Sequence, residues 1–169
     1  MMFARNGARS VRAAKNTKGN LNMKPGNPEK YEGLLMSDAA EKLLKADPEK
    51  FASFCNGVGS KKGFLNCVLY HFIPNTIYMM DITPSADLHD VDFTIPKEFA
   101  FLELAAQAFE AANMRMYKNM QTLIKRKSTS GMLYNFRMHR AKLYYYFLGS
   151  DAAWNSFVSG KTIAGVKHK

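Results

Sequence analysis

Four polar side chains crowd one short stretch of this sequence: Asp87, His89, Asp90 and Asp92. Carboxylates with one imidazole are a ligand set for a divalent metal. The EF-hand order, with its central Gly and final Glu, is absent, so a solvated acidic loop is expected. Cys55 and Cys67 have no CxxC partner. With His71 they make three of the four N/S ligands that a structural zinc needs, so both read as buried thiols of a reducing compartment. A nucleophilic pair of Cys67 with His71 or His139 sits in no recognisable motif. Gly57-Val58-Gly59-Ser60-Lys61-Lys62-Gly63 offers backbone N–H groups to a phosphate. It lacks the Gly-Lys-Ser/Thr order of a phosphate loop and no strand precedes it, so it reads as an interhelical loop. These residues nominate no catalytic group, metal or cofactor, and the chain reads as a non-enzyme.

The strongest binding chemistry lies elsewhere, in Lys125, Arg126, Lys127, Arg137, Arg140 and Lys142. They are interleaved with Tyr134, Phe136, Tyr144, Tyr145 and Tyr146. Basic side chains neutralise phosphates, and aromatics stack on bases or settle at membrane interfaces. The opposing reading is a charged rim snorkelling around a buried aromatic core.

The distribution of charge sharpens this. The chain has 169 residues and a net charge of +10. Residues 1–28 hold six basic residues and no acid, residues 29–96 are net acidic, and residues 97–169 are strongly basic. Between Glu110 and Asp151 there is no acid but eight Lys/Arg. Such a segment repels itself unless an anionic partner relieves it: RNA phosphate, lipid headgroups or the acidic face of a neighbour. Mean hydropathy is slightly negative, which excludes a multi-pass membrane protein, and two cysteines exclude a disulfide-rich scaffold.

The elements that must position these residues are mostly helical. Ser37 caps a helix from Asp38, and Asp47-Pro48-Glu49 starts another. From Gly63 to Met80 no Lys, Arg, Asp or Glu occurs. Pro74 interrupts that run, leaving a helix at about 64–73 as either a buried core helix or a membrane-associated piece. Residues 81–96 read as a loop.

From Pro96 to Lys127 a long helix carries a heptad seam: Phe99, Leu102, Ala106, Phe109, Asn113, Met116, Met120 and Leu123. This seam is a candidate docking face for a partner helix. After Ser128-Thr129-Ser130 a second helix runs from about 131 to 148 and folds back antiparallel. Met132, Phe136, Leu143 and Phe147 mark one side of it, and Tyr134, Met138, Ala141, Tyr145 and Leu148 mark another. A helix apolar on two sides is sandwiched, packs on a partner or meets lipid. Asp151 caps a last short helix that ends at Gly160.

The expected architecture is therefore mainly α: a long heptad-bearing helix and an antiparallel aromatic-rich helix, preceded by shorter helices and an extended basic arm. Four regions follow: an arm over 1–30, a small helical region with an acidic loop over 31–96, a helical hairpin plus short helix over 97–160, and a basic tail over 161–169.

Met1–Lys15 is Arg- and Ala-rich and acid-free, the composition of a mitochondrial transit peptide. With the uncharged run Gly63–Met80 and the stretch Tyr144-Tyr145-Tyr146-Phe147, the chain resembles an Fo-associated accessory subunit of the euglenozoan mitochondrial F-type ATP synthase. That resemblance implies a scaffold role in proton-driven ATP synthesis at the inner membrane, other subunits as partners and cardiolipin as the anionic lipid. It brings no catalytic residues. The alternative is a mitochondrial ribosomal protein that binds rRNA.

Overall fold

Local capping sets the first two helices where their sequence signals stand. The computed structural model describes residues 23–55 and 76–165. Helix α1 spans Asp38–Ala46, and the Ser37 hydroxyl accepts from the Ala40 N–H. Helix α2 spans Pro48–Phe54; the Asp47 carboxylate accepts from the Lys50 N–H, and Pro48 fills the first turn where its missing N–H is not needed. A 3-10 turn, Pro28–Tyr31, precedes both. The arm over 1–22, the glycine loop 57–63, the helix expected at 64–73 with Cys67 and His71, and residues 166–169 lie outside the described residues.

Strands β1 (Thr76–Ile77) and β2 (Met80–Asp81) form a hairpin whose loop is just Tyr78-Met79. Both loop residues have positive φ, 45° and 62°. This is the sign pattern of a type I′ turn, which normally takes Asn-Gly. Placing a side-chain-bearing residue in that region costs roughly 1–2 kcal/mol.

Residues 81–96 do not form the expected loop. Helix α3 covers Thr83–Thr94. The Asp81 carboxylate holds its start, accepting from the Thr83 N–H at 2.8 Å and the Thr83 hydroxyl at 2.5 Å. Pro84, Ser85, Ala86, Asp87, Leu88, His89 and Val91 are all buried. A helix surrounded by protein has no single apolar face, so periodicity does not announce it.

The long helix also starts later than expected. Lys97–Phe99 is a strand, β3, paired in parallel with β4 (Lys161–Ile163). Helix α4 runs from Leu102 to Lys127, 26 residues or about 39 Å. Helix α5 (Gly131–Leu148) returns antiparallel to it. Tyr117 of α4 stacks on Tyr145 of α5 at 5.1 Å, and Arg137 of α5 reaches the Lys127 carbonyl. Helix α6 spans Asp151–Ser159. Its cap is Ser150, whose hydroxyl accepts from the Ala153 N–H; Asp151 lies one place inside, where its charge favours the helix N-terminus. The segment expected as a basic tail begins with β4, and Lys161 is buried there.

Two apolar clusters hold these elements. The larger joins Tyr31, Leu44, Phe51, Ile82, Val91, Met116, Met120, Ile124 and Tyr144. The regions expected at 31–96 and 97–160 therefore share one core. The smaller packs Phe99, Phe109, Phe157 and Ile163 with Phe93 and Trp154. Each large side chain so buried contributes on the order of 1.5–3 kcal/mol.

Candidate interaction surface

The six basic candidates do not form one patch. Two of them are spent on the chain's own backbone. The Arg126 guanidinium donates to the Glu32 carbonyl at 2.9 Å and the Gly33 carbonyl at 3.4 Å. Gly33 suits this place because its φ of 68° is one that side-chain-bearing residues rarely adopt; a Cβ there would also stand 2.3 Å from an Arg126 nitrogen and push the guanidinium aside. Arg137 is buried and donates to the Lys127 carbonyl, the Ser128 hydroxyl and the Tyr78 carbonyl at 3.2, 3.2 and 3.1 Å. It thus clips the hairpin loop to the C-terminal end of α4. Its cation also offsets the negative end of that helix. Arg140 lies 5.3 Å from the Tyr144 ring centroid and Lys142 5.8 Å from that of Tyr146. Lys125 and Lys127 are exposed at the end of α4, and neither forms an ion pair among the described residues.

The expected seam divides as well. Phe109, Asn113, Met116, Met120 and Leu123 are buried inside the chain's own core. Phe99 belongs to β3, and Leu102 is half exposed. Asn113 is a connector: its Oδ1 accepts from His89 Nε2 at 2.9 Å, and its amide donates to the Leu148 carbonyl at 2.9 Å. Burial lowers the His89 pKa, which keeps the ring neutral against Phe93, 4.1 Å away.

The acidic quartet is not a solvated loop: it lies on α3, with Asp87 and His89 buried and Asp90 and Asp92 partly so. Asp87 is buried with Lys30 at 2.7 Å and accepts from the Tyr31 hydroxyl at 3.0 Å. Burial pushes the Asp87 carboxyl up, and Lys30 and Tyr31 pull it back. Asp92 accepts from Arg115 at 2.7 and 3.0 Å and from the Ser37 hydroxyl at 2.5 Å. Lys161 donates to the carbonyls of Asp92, Phe93 and Ile95. Burial pushes its pKa down to about 8, while the Asp92 carboxylate favours the charged form. Desolvation pushes the Cys55 thiol up to about 12, so it is a poor nucleophile. Among the described residues no three His, Cys, Asp or Glu side chains converge as metal ligands. A cleft of about 370 Å³ opens beside this network, lined by Ser37, Asp92, Lys97, Phe99, Arg115 and Lys161. Most of its polar groups already satisfy one another.

One buried polar atom, Arg137 Nε, has no hydrogen-bond partner among the described residues, and a set of large apolar side chains is left exposed. On α5, Met132, Phe136, Tyr146 and Phe147 are exposed. The Tyr78 ring lies 5.9 Å from that of Phe136, and Met79 is 98% exposed beside it. Met132 and Phe136 are one turn apart, so they extend the hairpin tip into a continuous apolar end of the molecule. The basic-aromatic interleaving located α5 in the sequence. Nothing local marked Tyr78-Met79, which lacks the Asn or Gly that announces such a turn. Among the described residues no helix is long and apolar enough to cross a membrane. No protein-family model, curated protein or solved structure matches the chain.

Proposed function

We propose that this chain is a non-catalytic accessory subunit of a mitochondrial inner-membrane complex. Following the resemblance, we assign it to the Fo region of the F-type ATP synthase, as a scaffold in proton-driven ATP synthesis. The observation that carries this reading is the exposed aromatic and methionine surface of α5, continued by Tyr78 and Met79. Several exposed large apolar side chains on one helix and the adjoining hairpin tip are the kind of surface that meets a partner. The polar groups inside and beside the core support a structural role, since Asp87 pairs with Lys30, His89 with Asn113, Asp92 with Arg115, and Lys161 with backbone carbonyls. The Arg-rich, acid-free start supports the compartment.

Native-gel migration with mass spectrometry of co-migrating proteins tests it. The expected result is co-migration with ATP synthase subunits and retention in carbonate-washed membranes. Recovery as a free matrix monomer overturns it. Co-sedimentation with ribosomes, lost on RNase treatment, overturns it in favour of rRNA binding.

A further inference from the structure

The hairpin tip is the least economical feature of the described fold. Two bulky residues, Tyr78 and Met79, hold backbone conformations that favour Asn and Gly. Both side chains point outward, Met79 almost wholly so. Strain held in place by surrounding structure is a pointer to function, and here the surroundings are specific. The Arg137 guanidinium fixes the Tyr78 carbonyl, and the Phe136 ring backs the Tyr78 ring. The same guanidinium holds the Lys127 carbonyl, so the tip and the end of α4 are neighbours. One end of the molecule therefore combines Tyr78, Met79, Met132 and Phe136 with the exposed cations Lys125 and Lys127.

Two acids lie on adjoining segments. The Asp81 carboxylate is held by Thr83, and exposed Glu32 lends its carbonyl to Arg126. From Ala111 to Ser150 there is no acid at all. A protruding apolar tip with a cationic border fits a deformable anionic surface better than a preformed protein groove. Apolar groups enter the acyl boundary, a tyrosine sits at headgroup depth, and lysines near the surface are attracted to the lipid phosphates.

We infer that this end of the molecule docks on an anionic bilayer, with Tyr78, Met79, Met132 and Phe136 entering the interface and Lys125 and Lys127 meeting lipid phosphates. The inference rests on the membrane-complex reading and names the surface that meets the lipid.

Vesicle co-sedimentation of the full chain tests it. Wild type is expected to bind phosphatidylcholine vesicles containing cardiolipin and to bind phosphatidylcholine alone at least tenfold more weakly. The variant Y78N/M79G installs the residues that the turn prefers. Its Tm is expected to rise by roughly 2–4 °C while vesicle binding falls by roughly tenfold or more. K125Q/K127Q is expected to lose binding to a similar extent, with Tm falling by no more than a few degrees because both cations also favour the C-terminal end of α4. Absence of wild-type binding, or binding by Y78N/M79G equal to wild type, overturns the inference. If wild type assembles into a complex without binding vesicles, docking fails and the accessory-subunit reading stands. Vesicle binding without any co-migrating subunit has the opposite meaning.

Discussion

At the residue scale, the interior is decided by pairs that remove each other's cost. Asp87 and Lys30 have side chains only 2% and 6% exposed, so neither charge has water to return to. Replacing Lys30 by Met leaves a buried carboxylate facing Tyr31 alone. The expected loss is about 3–5 kcal/mol, read from the urea midpoint. The double variant K30M/D87L is expected to recover most of that loss, since removing both charges removes the desolvation cost.

His89 gives a pH signature. Burial lowers its pKa below 6.5, so the unfolded chain binds more protons than the folded one just below that value. Its contribution to stability is therefore complete above pH 6.5 and is lost as pH falls through that value towards the lower folded pKa. Urea titrations at a series of pH values are expected to show this slope, and H89Q is expected to flatten it. At this scale the sequence was legible only where chemistry is local. Ser37 and Asp47 cap helices within three residues of themselves. The partners of Asp87 are its own chain's residues 56 and 57 positions away, and no spacing rule reaches that far.

At the element scale, the helical hairpin was legible and its surroundings were not. The heptad spacing placed Phe109 to Leu123 on one buried face, because period alone determines which side chains share a side of a helix. The start of α4 was misplaced because Lys97–Phe99 has a strand partner at Lys161–Ile163, and tertiary pairing overrides local helix preference. Helix α3 was missed because its polar residues are buried with partners, which mimics loop composition. The seam's true extent is measurable by truncation. Met120→Ala, at a fully buried position, is expected to cost roughly 2–5 kcal/mol. Leu102→Ala, half exposed at the helix start, is expected to cost under about 1 kcal/mol. Equal losses in chemical denaturation would show that the seam continues through the first turn.

At the scale of the whole molecule, the net charge of +10 is a sum of parts that behave differently. Lys30, Arg126, Arg137 and Lys161 hold the fold together, and Lys125 and Lys127 face outward. The fold is also expected to unfold as one body. His89 and Phe93 of α3 link the two apolar clusters, His89 through Asn113 and Phe93 through Phe109 and Phe157. Trp154, the chain's single tryptophan, sits in the smaller cluster. Its fluorescence and the far-ultraviolet circular dichroism are expected to report the same urea midpoint. Separate midpoints would show two units that unfold independently.

The parallel pairing of β3 with β4 has a consequence in time. Phe99 meets Ile163, and the Ala164 N–H donates to the Phe99 carbonyl at 3.0 Å, closing the stretch that holds α4, α5 and α6. During synthesis, β3 leaves the ribosome with its partner still untranslated. The helical hairpin can collapse early through neighbouring contacts, but the smaller cluster must wait for Phe157 and Ile163 to be made. Until then Phe99 and Phe109 lack Phe157 and Ile163, the side chains that cover them in the folded protein.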